Sequence, residues 1–375
     1  MKFIISSTTL YSHLQAISRV INSKNSLPIL DCFLLEIHDK TLSATASDNE
    51  TTMTTTMELV DSTEDFTFAI SAKNMIDALK ELPEQPLSFE VNTFTLEVKV
   101  HYNNDGIYSL MCQSADEYPK ATALNEEKVE FKVSAATLYD SVSCALFATA
   151  DDELRPVMNG IYFDMTPDHV VFVASDGHKL VKYKSLDVTC SERAAFILPR
   201  KPANLLKGLL SKQENEVSVT FDDRNAVFKM DDCQLTCRQI DGRFPNYNSV
   251  IPQNNPNVAI ADRQLLIGAL RRISVFSSAV SNLVKLHLSA DQIKISAQDI
   301  DFSTSAEETI TCQYDGPTFS IGFKASFLIE ILNNMSSGDV MIQLADASRA
   351  GIFQPSPQED KQEVLMLLMP MMLND

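Results

Sequence analysis

Three stretches of this chain open alike: FIISSTTLYSHLQAI from Phe3, FKVSAATLYDSVSCA from Phe131 and VAIADRQLLIGALRR from Val258. Each begins with the alternating pattern of a strand and continues with the apolar spacing of an amphipathic helix. Because a spacing of 123 to 128 residues recurs along the chain, we expect three copies of one domain. An enzyme needs one site, whereas a chain tripled in this way builds a shape.

Two further segments repeat in the same order. The longer segment is FAISAKNMIDALKEL from Phe68, FILPRKPANLLKGLL from Phe196 and FSIGFKASFLIEILN from Phe319. The shorter segment is LSATASDNE from Leu42, VVFVASDGH from Val170 and IKISAQDID from Ile293. Two sets of charged residues are expected to occupy equivalent slots: Lys73, Lys201 and Lys324, and Asp48, Asp176 and Asp299.

The 375 residues divide into three domains of ordinary size, expected at 1–125, 126–252 and 253–375. Each copy is typical of an α+β fold, with two helices laid on antiparallel sheet. The predicted helices are 7–21, 72–82, 134–149, 200–210, 262–275 and 324–335. In the first two helices the predicted buried faces are Leu10, Leu14, Ile17 and Ile21, and Met75, Leu79 and Leu82.

The rest of the composition favours a cytoplasmic protein without cofactors. The seven cysteines are odd in number, and Cys233 and Cys237 lack the spacing and the histidines of a zinc site. The N-terminus turns polar by Ser6, unlike a signal peptide. The apolar run 364–373 is too short to span a bilayer, and its proline and lack of a basic flank favour a final strand over a membrane anchor.

The charge is unevenly distributed. The chain carries a net charge of −19, which by itself argues against a nucleic-acid partner. The predicted helices nevertheless hold ten Lys or Arg against five acids, so they carry +5 and the remainder −24. Lysines on helix faces are often only solvated, but that interpretation does not explain why helices are basic and strands acidic.

Helix dimensions then suggest a ring. Six helices, each about 10 Å across, would line a hole of roughly 9 Å, and twelve from two chains a hole of roughly 28 Å. A DNA duplex, roughly 20 Å wide, fits only the larger hole. A head-to-tail dimer with a basic lining and an acidic exterior would enclose DNA, and its outer surface would discourage adsorption.

Several motifs resemble a known family over nearly the whole chain. They are Met1-Lys2-Phe3, Leu27-Pro28-Ile29-Leu30, Arg155–Gly160, Ser175–Leu180, Pro199-Arg200-Lys201, Asp241–Tyr247 and Met369-Pro370-Met371. Together they resemble the bacterial DNA polymerase III beta subunits, the sliding clamps. The chain departs from that pattern at Ser249 and Met372, and it extends further with Asn374 and Asp375.

The resemblance implies a DNA sliding clamp without a catalytic site of its own. It implies a homodimeric ring around double-stranded DNA, bound without sequence preference, that tethers the replicative polymerase alpha subunit and also serves the clamp loader and other clamp-motif proteins. The implied DNA contacts are Lys24, Lys73, Arg155, Arg200, Lys201 and Lys324. The implied dimer contacts are Tyr108 and Leu110 against Val275 and Phe276, for which ordinary core packing is the alternative.

The resemblance also implies a pocket for partner peptides. Its positions are Met158, Ser175, Gly177, His178, Lys179, Leu180, Pro245, Val250, Phe327, Ser348, Leu367, Leu368, Met369, Pro370 and Met371. Leu, Val, Phe and Met would form an apolar cleft in which methionines adapt to different partners. His178 and Lys179 would supply polar contacts at the rim. The alternative is that these residues are ordinary core.

Two other functions fit the sequence less well. A metal-dependent hydrolase could use Asp48, Asp176 and Asp299, but equivalent slots of three copies point to three places, and Asp176-Gly177 is typical of a turn. His178 could act as a general base, although no nucleophile or partner acid accompanies it. A structural repeat protein that only scaffolds partners would not explain the basic helices.

Overall fold

The computed structural model describes residues 1–103 and 105–373 of the chain, so the Asn374 and Asp375 extension lies outside the described residues. Each repeat has the same order: a strand, a helix, four strands, a helix and three strands, with one additional two-residue strand in the first repeat. The predicted α+β class and its three tandem copies are confirmed.

The helices and strands have the following bounds. The first repeat contains β1 (Lys2–Ser6), α1 (Ser7–Ser18), β2 (Cys32–His38), β3 (Thr41–Ser47), β4 (Thr51–Glu58), β5 (Asp61–Ser62), β6 (Phe66–Ser71), α2 (Ala72–Lys80), β7 (Pro86–Val91), β8 (Glu97–Tyr102) and β9 (Gly106–Met111). The second contains β10 (Val129–Ser134), α3 (Ala135–Leu146), β11 (Gly160–Met165), β12 (Val170–Ser175), β13 (Lys179–Ser185), β14 (Ala194–Pro199), α4 (Arg200–Leu210), β15 (Glu216–Phe221), β16 (Asn225–Lys229) and β17 (Cys233–Arg238). The third contains β18 (Asn257–Asp262), α5 (Arg263–Ser274), β19 (Leu283–Ser289), β20 (Gln292–Asp299), β21 (Thr304–Thr311), β22 (Phe319–Lys324), α6 (Ala325–Asn333), β23 (Asp339–Leu344), β24 (Gly351–Ser356) and β25 (Gln362–Leu368).

The strands form four antiparallel sheets, and two of these sheets combine strands from two repeats. One has the order β10-β15-β16-β17-β4-β3-β2-β6, and the other β14-β11-β12-β13-β25-β24-β23-β18. The other two are β5-β1-β7-β8-β9, from the first repeat, and β21-β20-β19-β22, from the third. In both combined sheets the last strand of one repeat pairs with the third strand that follows the first helix of the preceding repeat. These pairs are β17 with β4 and β25 with β13.

The chain forms two compact units. The first comprises Met1–Ala136 and Asn204–Gln239, and the second Thr137–Ala203 together with residues 240–373. Each unit contains one combined sheet and one single-repeat sheet. The domain boundaries expected from the sequence remain a proposal.

Three of the helices, α1, α2 and α5, begin after a residue whose side chain caps them. Ser6 accepts a hydrogen bond from the Thr9 N–H, and Asp262 caps α5 through the Leu265 N–H. Leu10, Leu14 and Ile17 are buried as predicted. Ile21 is a correction: α1 ends at Ser18, and the chain beyond it turns so that Val20 is buried instead. Likewise α2 ends at Lys80, which leaves Leu82 outside the helix.

Two of the predicted repeat alignments are wrong in the third copy. Ser6 and Asp262 are equivalent helix caps, so Phe3 corresponds to Ala259 and not to Val258. Because strand side chains alternate between faces, this slip of one residue decides burial: Ala259 is fully buried, whereas Val258 is 40% exposed.

The slot assigned to Lys324 is also wrong, by two residues. Lys73 and Lys201 are each the second residue of a helix, in α2 and α4. Lys324 instead precedes α6 at its N-cap, and Ser326 occupies the slot of the other two lysines. A shift of two preserves the strand face, so the apolar pattern alone did not reveal the error.

Candidate functional site

The predicted pocket residues of the second unit centre on the turn between β12 and β13. The Asp176 carboxylate oxygen Oδ1 accepts hydrogen bonds from the His178 and Lys179 N–H groups, at 2.8 and 2.9 Å. Gly177 has φ +90°, a conformation that L side chains rarely adopt. A Cβ there would also lie 2.9 Å from the Arg155 guanidinium. Glycine adopts this backbone without strain and leaves room for the close approach of Arg155.

Three equivalent turns explain the repeated aspartates. Asp48 accepts hydrogen bonds from the Glu50 and Thr51 N–H groups, and Asp299 from the Asp301 and Phe302 N–H groups, just as Asp176 does in the second repeat. Aspartate holds turns in this way because its side chain substitutes for a backbone acceptor. These carboxylates are structural, and no cluster of three metal-ligating side chains occurs within residues 1–103 and 105–373.

Lys179 does not lie at the rim as predicted, because its side chain is buried. Residue Lys179 is 5% exposed, and its ammonium lies 3.0 Å from both the Asp176 and Glu330 carboxylates. It also lies 4.4 Å from the centre of the Phe327 ring. Burial of the Asp176 carboxyl opposes its ionisation, but the His178 and Lys179 N–H groups and the Lys179 ammonium outweigh burial and lower the pKa of Asp176.

Strand alternation separates the predicted pocket residues into two faces. Leu180 pairs with Leu367, and both belong to a buried cluster with Val171, Val173 and Phe244. Lys179 pairs with Leu368, so these two side chains occupy the opposite face of the sheet. Leu368 is therefore core beneath that face, which corrects its predicted place in the cleft.

The segment after β17 supplies the aromatic part of the cluster. The Phe244 ring stacks on Tyr162 with centroids 4.8 Å apart, and the Tyr247 hydroxyl donates to Asp164 Oδ2 at 2.8 Å. Sequence reasoning did not assign these aromatics to the pocket, although Phe244 and Tyr247 lie within the motif Asp241–Tyr247 that carried the family resemblance. Beside them Pro245 and Val250 are exposed apolar residues.

The C-terminal tail is fixed by two backbone hydrogen bonds. The Met369 N–H donates to the His178 carbonyl, and the Met371 N–H donates to the Gly322 carbonyl, both at 2.8 Å. A Cβ at Gly322 would lie 2.7 Å from the Met371 carbonyl oxygen, so glycine permits this approach. Met369 is exposed, while Pro370 and Met371 are half-buried, and the tail thus forms an apolar margin beside the turn.

The remaining pocket positions lie around this group. The His178 ring is exposed and lies 5.9 Å from the Phe327 ring. Ser175 Oγ donates to the Lys179 carbonyl at 2.9 Å. Ser348 is exposed in the turn before β24, where Asp346 holds it, and the Met158 side chain is buried. The structure therefore brings Ser175–Leu180, Phe327 and 367–371 around one turn but divides them between two faces of the sheet, and the Met158 side chain is core.

The residues proposed for DNA have several environments. Lys24, Lys73 and Arg200 are exposed, and Lys201 is half-buried. Lys324 Nζ lies 4.5 Å from the centre of the Phe327 ring, and Arg155 pairs with Asp152 at 2.8 Å beside the pocket turn. Two other basic helix residues have structural roles: Arg263 donates to the Leu332 and Ser337 carbonyls, and Arg272 pairs with Glu308.

The proposed dimer residues lie on an edge strand and just after a helix. Tyr108 and Leu110 are half-buried on β9, which has one hydrogen-bonded neighbour among the described strands. Val275, at the end of α5, is 77% exposed, and Phe276 beside it is also exposed. The exposure of Val275 and Phe276 disagrees with the alternative that they are ordinary core.

None of the helices in the described residues is long and apolar enough to cross a membrane.

Comparison with known proteins shows that the chain is a three-domain clamp. Profiles of the DNA polymerase III beta subunit match over residues 1–122 (N-terminal domain), 132–246 (central domain) and 248–371 (C-terminal domain). The beta sliding clamp of Proteus mirabilis is 31% identical over 92% of this chain and 94% of its own length. That of Haemophilus influenzae is 29% identical over 98% of this chain and 99% of its own.

The fold agrees with these sequences. A crystal structure of a sliding clamp (DNA polymerase III subunit beta) from Pseudomonas aeruginosa bound to griselimycin superposes with a TM-score of 0.94, covering 100% of both chains at 25% identity. The chain belongs to the DNA polymerase III beta subunit family, the beta sliding clamps.

The Asp176 interactions predict a pH dependence. A lowered folded-state pKa gives stability that is present above the ordinary Asp value, about 4, and lost as the pH falls through the folded value. We expect Asp176→Asn to be less stable than the wild type at neutral pH, with the difference shrinking toward zero below about pH 4. Urea denaturation across this range measures it, and an equal difference at every pH would contradict the assignment.

Proposed function

We propose that two copies of this chain close head to tail into a ring around duplex DNA and act as a sliding clamp for replication. The pattern of strand pairing is the observation that carries this proposal. β4 of the first repeat pairs with β17 of the second, and β13 of the second pairs with β25 of the third. The strands at the equivalent positions that have no such partner are β21 of the third repeat and β9 of the first, and both lie at the edge of a sheet.

A second copy offers the missing partner for each of these strands. Pairing β21 of one copy with β9 of another would repeat the same junction and satisfy the free backbone groups of both edges. Apolar side chains accompany the two edges: Tyr108 and Leu110 on β9, and Val275 and Phe276 after α5. Two such junctions close a ring of six repeats and leave neither of these edges open.

DNA would be held by charge and enclosure without recognition of its sequence. The six helices of the described structure carry eight Lys or Arg and three acids, so they keep the predicted +5. Long basic side chains such as Lys73 and Arg200 suit contacts to phosphates, which position a protein but read no bases. Arg155, a proposed DNA contact, lies beside Gly177 and would therefore border the proposed peptide site as well.

The partner site is the apolar surface formed by Leu180, Leu367, Val250 and Met369. We propose that it captures short extended peptides of the polymerase alpha subunit, the clamp loader and other clamp-motif proteins. Its buried leucines supply a floor, the exposed Val250 and the adaptable Met369 supply walls, and the Gly177 turn admits a peptide backbone. The chain would have no catalytic site or cofactor of its own and would work in the cytoplasm.

The proposed dimer depends on Val275 and Phe276. Changing Val275 and Phe276 to Ala should remove apolar contacts at both junctions and give a folded monomer of 41.7 kDa. Light scattering at about micromolar concentration measures the mass, where a Kd of 1 μM corresponds to about 8 kcal/mol. The matched control changes Val60 and Phe94, an exposed valine and phenylalanine elsewhere, to Ala. Should the Val275 and Phe276 variant remain dimeric like this control, the interface lies elsewhere.

The proposed retention on DNA depends on enclosure and charge. The wild type, loaded by its clamp loader, should remain on nicked circular DNA and slide off linear DNA. Lys73→Glu with Lys201→Glu should impair loading and reduce its salt dependence, because phosphate contacts release counterions. Lys40→Glu with Lys99→Glu makes the same change of charge on strand and turn positions and should have little effect. Equal retention on linear and circular DNA would argue against enclosure.

The proposed peptide site depends on Val250 and the C-terminal tail. A labelled peptide with one Gln and two or three apolar residues should bind with micromolar affinity, about 8 kcal/mol. Val250→Asp, at a position 56% exposed, should weaken it more than tenfold without unfolding the chain. Val60→Asp, at a position 66% exposed, is the control. Deletion of residues 369–375 should abolish binding and leave the dimer intact, and unchanged affinity in both variants would place the site elsewhere.

A further inference from the structure

The first unit contains a second copy of the pocket turn. Asp48 holds the turn between β3 and β4 as Asp176 holds the turn between β12 and β13. Asn49 has φ +78° at the position where Gly177 has φ +90°. The backbone path that forms the edge of the peptide site is therefore repeated, with a side chain in place of the glycine hydrogen.

The strand contacts beside the turn are repeated as well. Thr52 pairs with Thr236 as Leu180 pairs with Leu367. The Arg238 N–H donates to the Glu50 carbonyl at 2.8 Å. The Met369 N–H donates at the same distance to the His178 carbonyl, and His178 has the same position in its turn as Glu50. Each unit also has a neighbouring turn whose N–H groups are bound by an aspartate side chain. The aspartate is Asp222 in the first unit and Asp346 in the second.

These elements enclose an open cleft of about 220 Å³. Its lining comes from the β3–β4 turn, the segment around Pro119 and Lys120, and strands β16 and β17 with the turn before them. Pro119 follows the buried Tyr118 as Pro245 follows the buried Phe244. No lining residue belongs to a helix, so the cleft lies among turns and strands.

The side chains give this cleft a different chemistry. Threonine hydroxyls of Thr52 and Thr236 replace the leucine floor, and Arg238 stands where Met369 does. Arg224 takes the place of Ser348, since each is the second residue after its turn aspartate. The apolar cleft of the second unit thus has a polar and mainly basic counterpart.

Its cations are available for a ligand. Arg238 and Lys120 are exposed and form no ion pair with any residue in 1–103 or 105–373, and Arg224 only approaches Asp223, at 3.8 Å. Glu50 is the single acid in the lining. In a chain of net charge −19, three cations around one cleft are a local reversal of the surface charge.

We propose that this cleft binds an extended acidic segment of a protein partner. Arg224, Arg238 and Lys120 would receive carboxylates through charge-assisted hydrogen bonds, and the threonine hydroxyls would bond to the peptide backbone. The inference rests on the proposed function, because the peptide-binding role of the equivalent cleft guides it. A peptide is favoured over DNA because the lining repeats the turn and strand contacts of the proposed peptide site.

The test titrates full-length protein into a fluorescein-labelled peptide of alternating Asp and Ser, with the corresponding Asn–Ser peptide as the uncharged probe. Fluorescence anisotropy should show binding of the acidic peptide only. Lys120→Gln with Arg238→Gln should weaken it at least tenfold. Lys128→Gln with Lys132→Gln removes the same charge from exposed positions outside the cleft and should change affinity less than threefold.

The outcomes separate this inference from the proposed function. Equal weakening by both double variants, or equal binding of both peptides, would overturn the acidic-peptide site. Displacement of the peptide by a short DNA duplex, lost in the cleft variant, would overturn it in favour of a DNA contact. The apolar Gln-containing peptide is titrated in parallel: its failure to bind the wild type, with intact cleft-dependent binding of the acidic peptide, would count only against the proposed function.

Discussion

Antiparallel pairing between the last strand of one repeat and the third strand of the preceding repeat holds the site elements in place. The ladder between β13 and β25 joins Lys179–Ser185 to Gln362–Leu368, and β4 and β17 are joined in the same way. An open strand edge exposes unpaired N–H and C=O groups, and pairing between repeats satisfies them without any additional element. The same ladder brings the C-terminal tail to the Gly177 turn, since Met369 continues β25 directly into its bond with His178.

One backbone arrangement supports different chemistry in the two units because the hydrogen bonds that build it involve few variable side chains. Aspartate at the turn and main-chain groups on the strands make the frame. The side chains that project from this frame differ between the repeats, as where Leu180 in the second unit is replaced by Thr52 at the equivalent position of the first. The two repeats thus keep the same backbone frame while the side chains on it differ.

The sequence predicted the three repeats, the class of fold and the six helices to within a few residues, because helix periodicity and capping are local properties. It misplaced Val258 by one residue and Lys324 by two. Both errors arose where apolar identity was the only guide: Val258 matches Phe3 better in type than Ala259 does, yet the helix cap fixes the register. Residues near one another in sequence, such as Ser175 to Leu180, lie around one turn for the same local reason, and their role in a peptide site stays a prediction.

By itself the sequence determined the elements, the Asp-held turns and the concentration of basic residues on the helices, since each depends on neighbours within a few positions. Only the tertiary structure decided which neighbours each side chain meets. Lys179 and Leu180 are adjacent, but strand alternation sends one to Glu330 and the other to Leu367. Those contacts join residues more than 140 positions apart, and the burial they produce depends on which strand edges meet, which local patterns of charge and hydrophobicity do not encode.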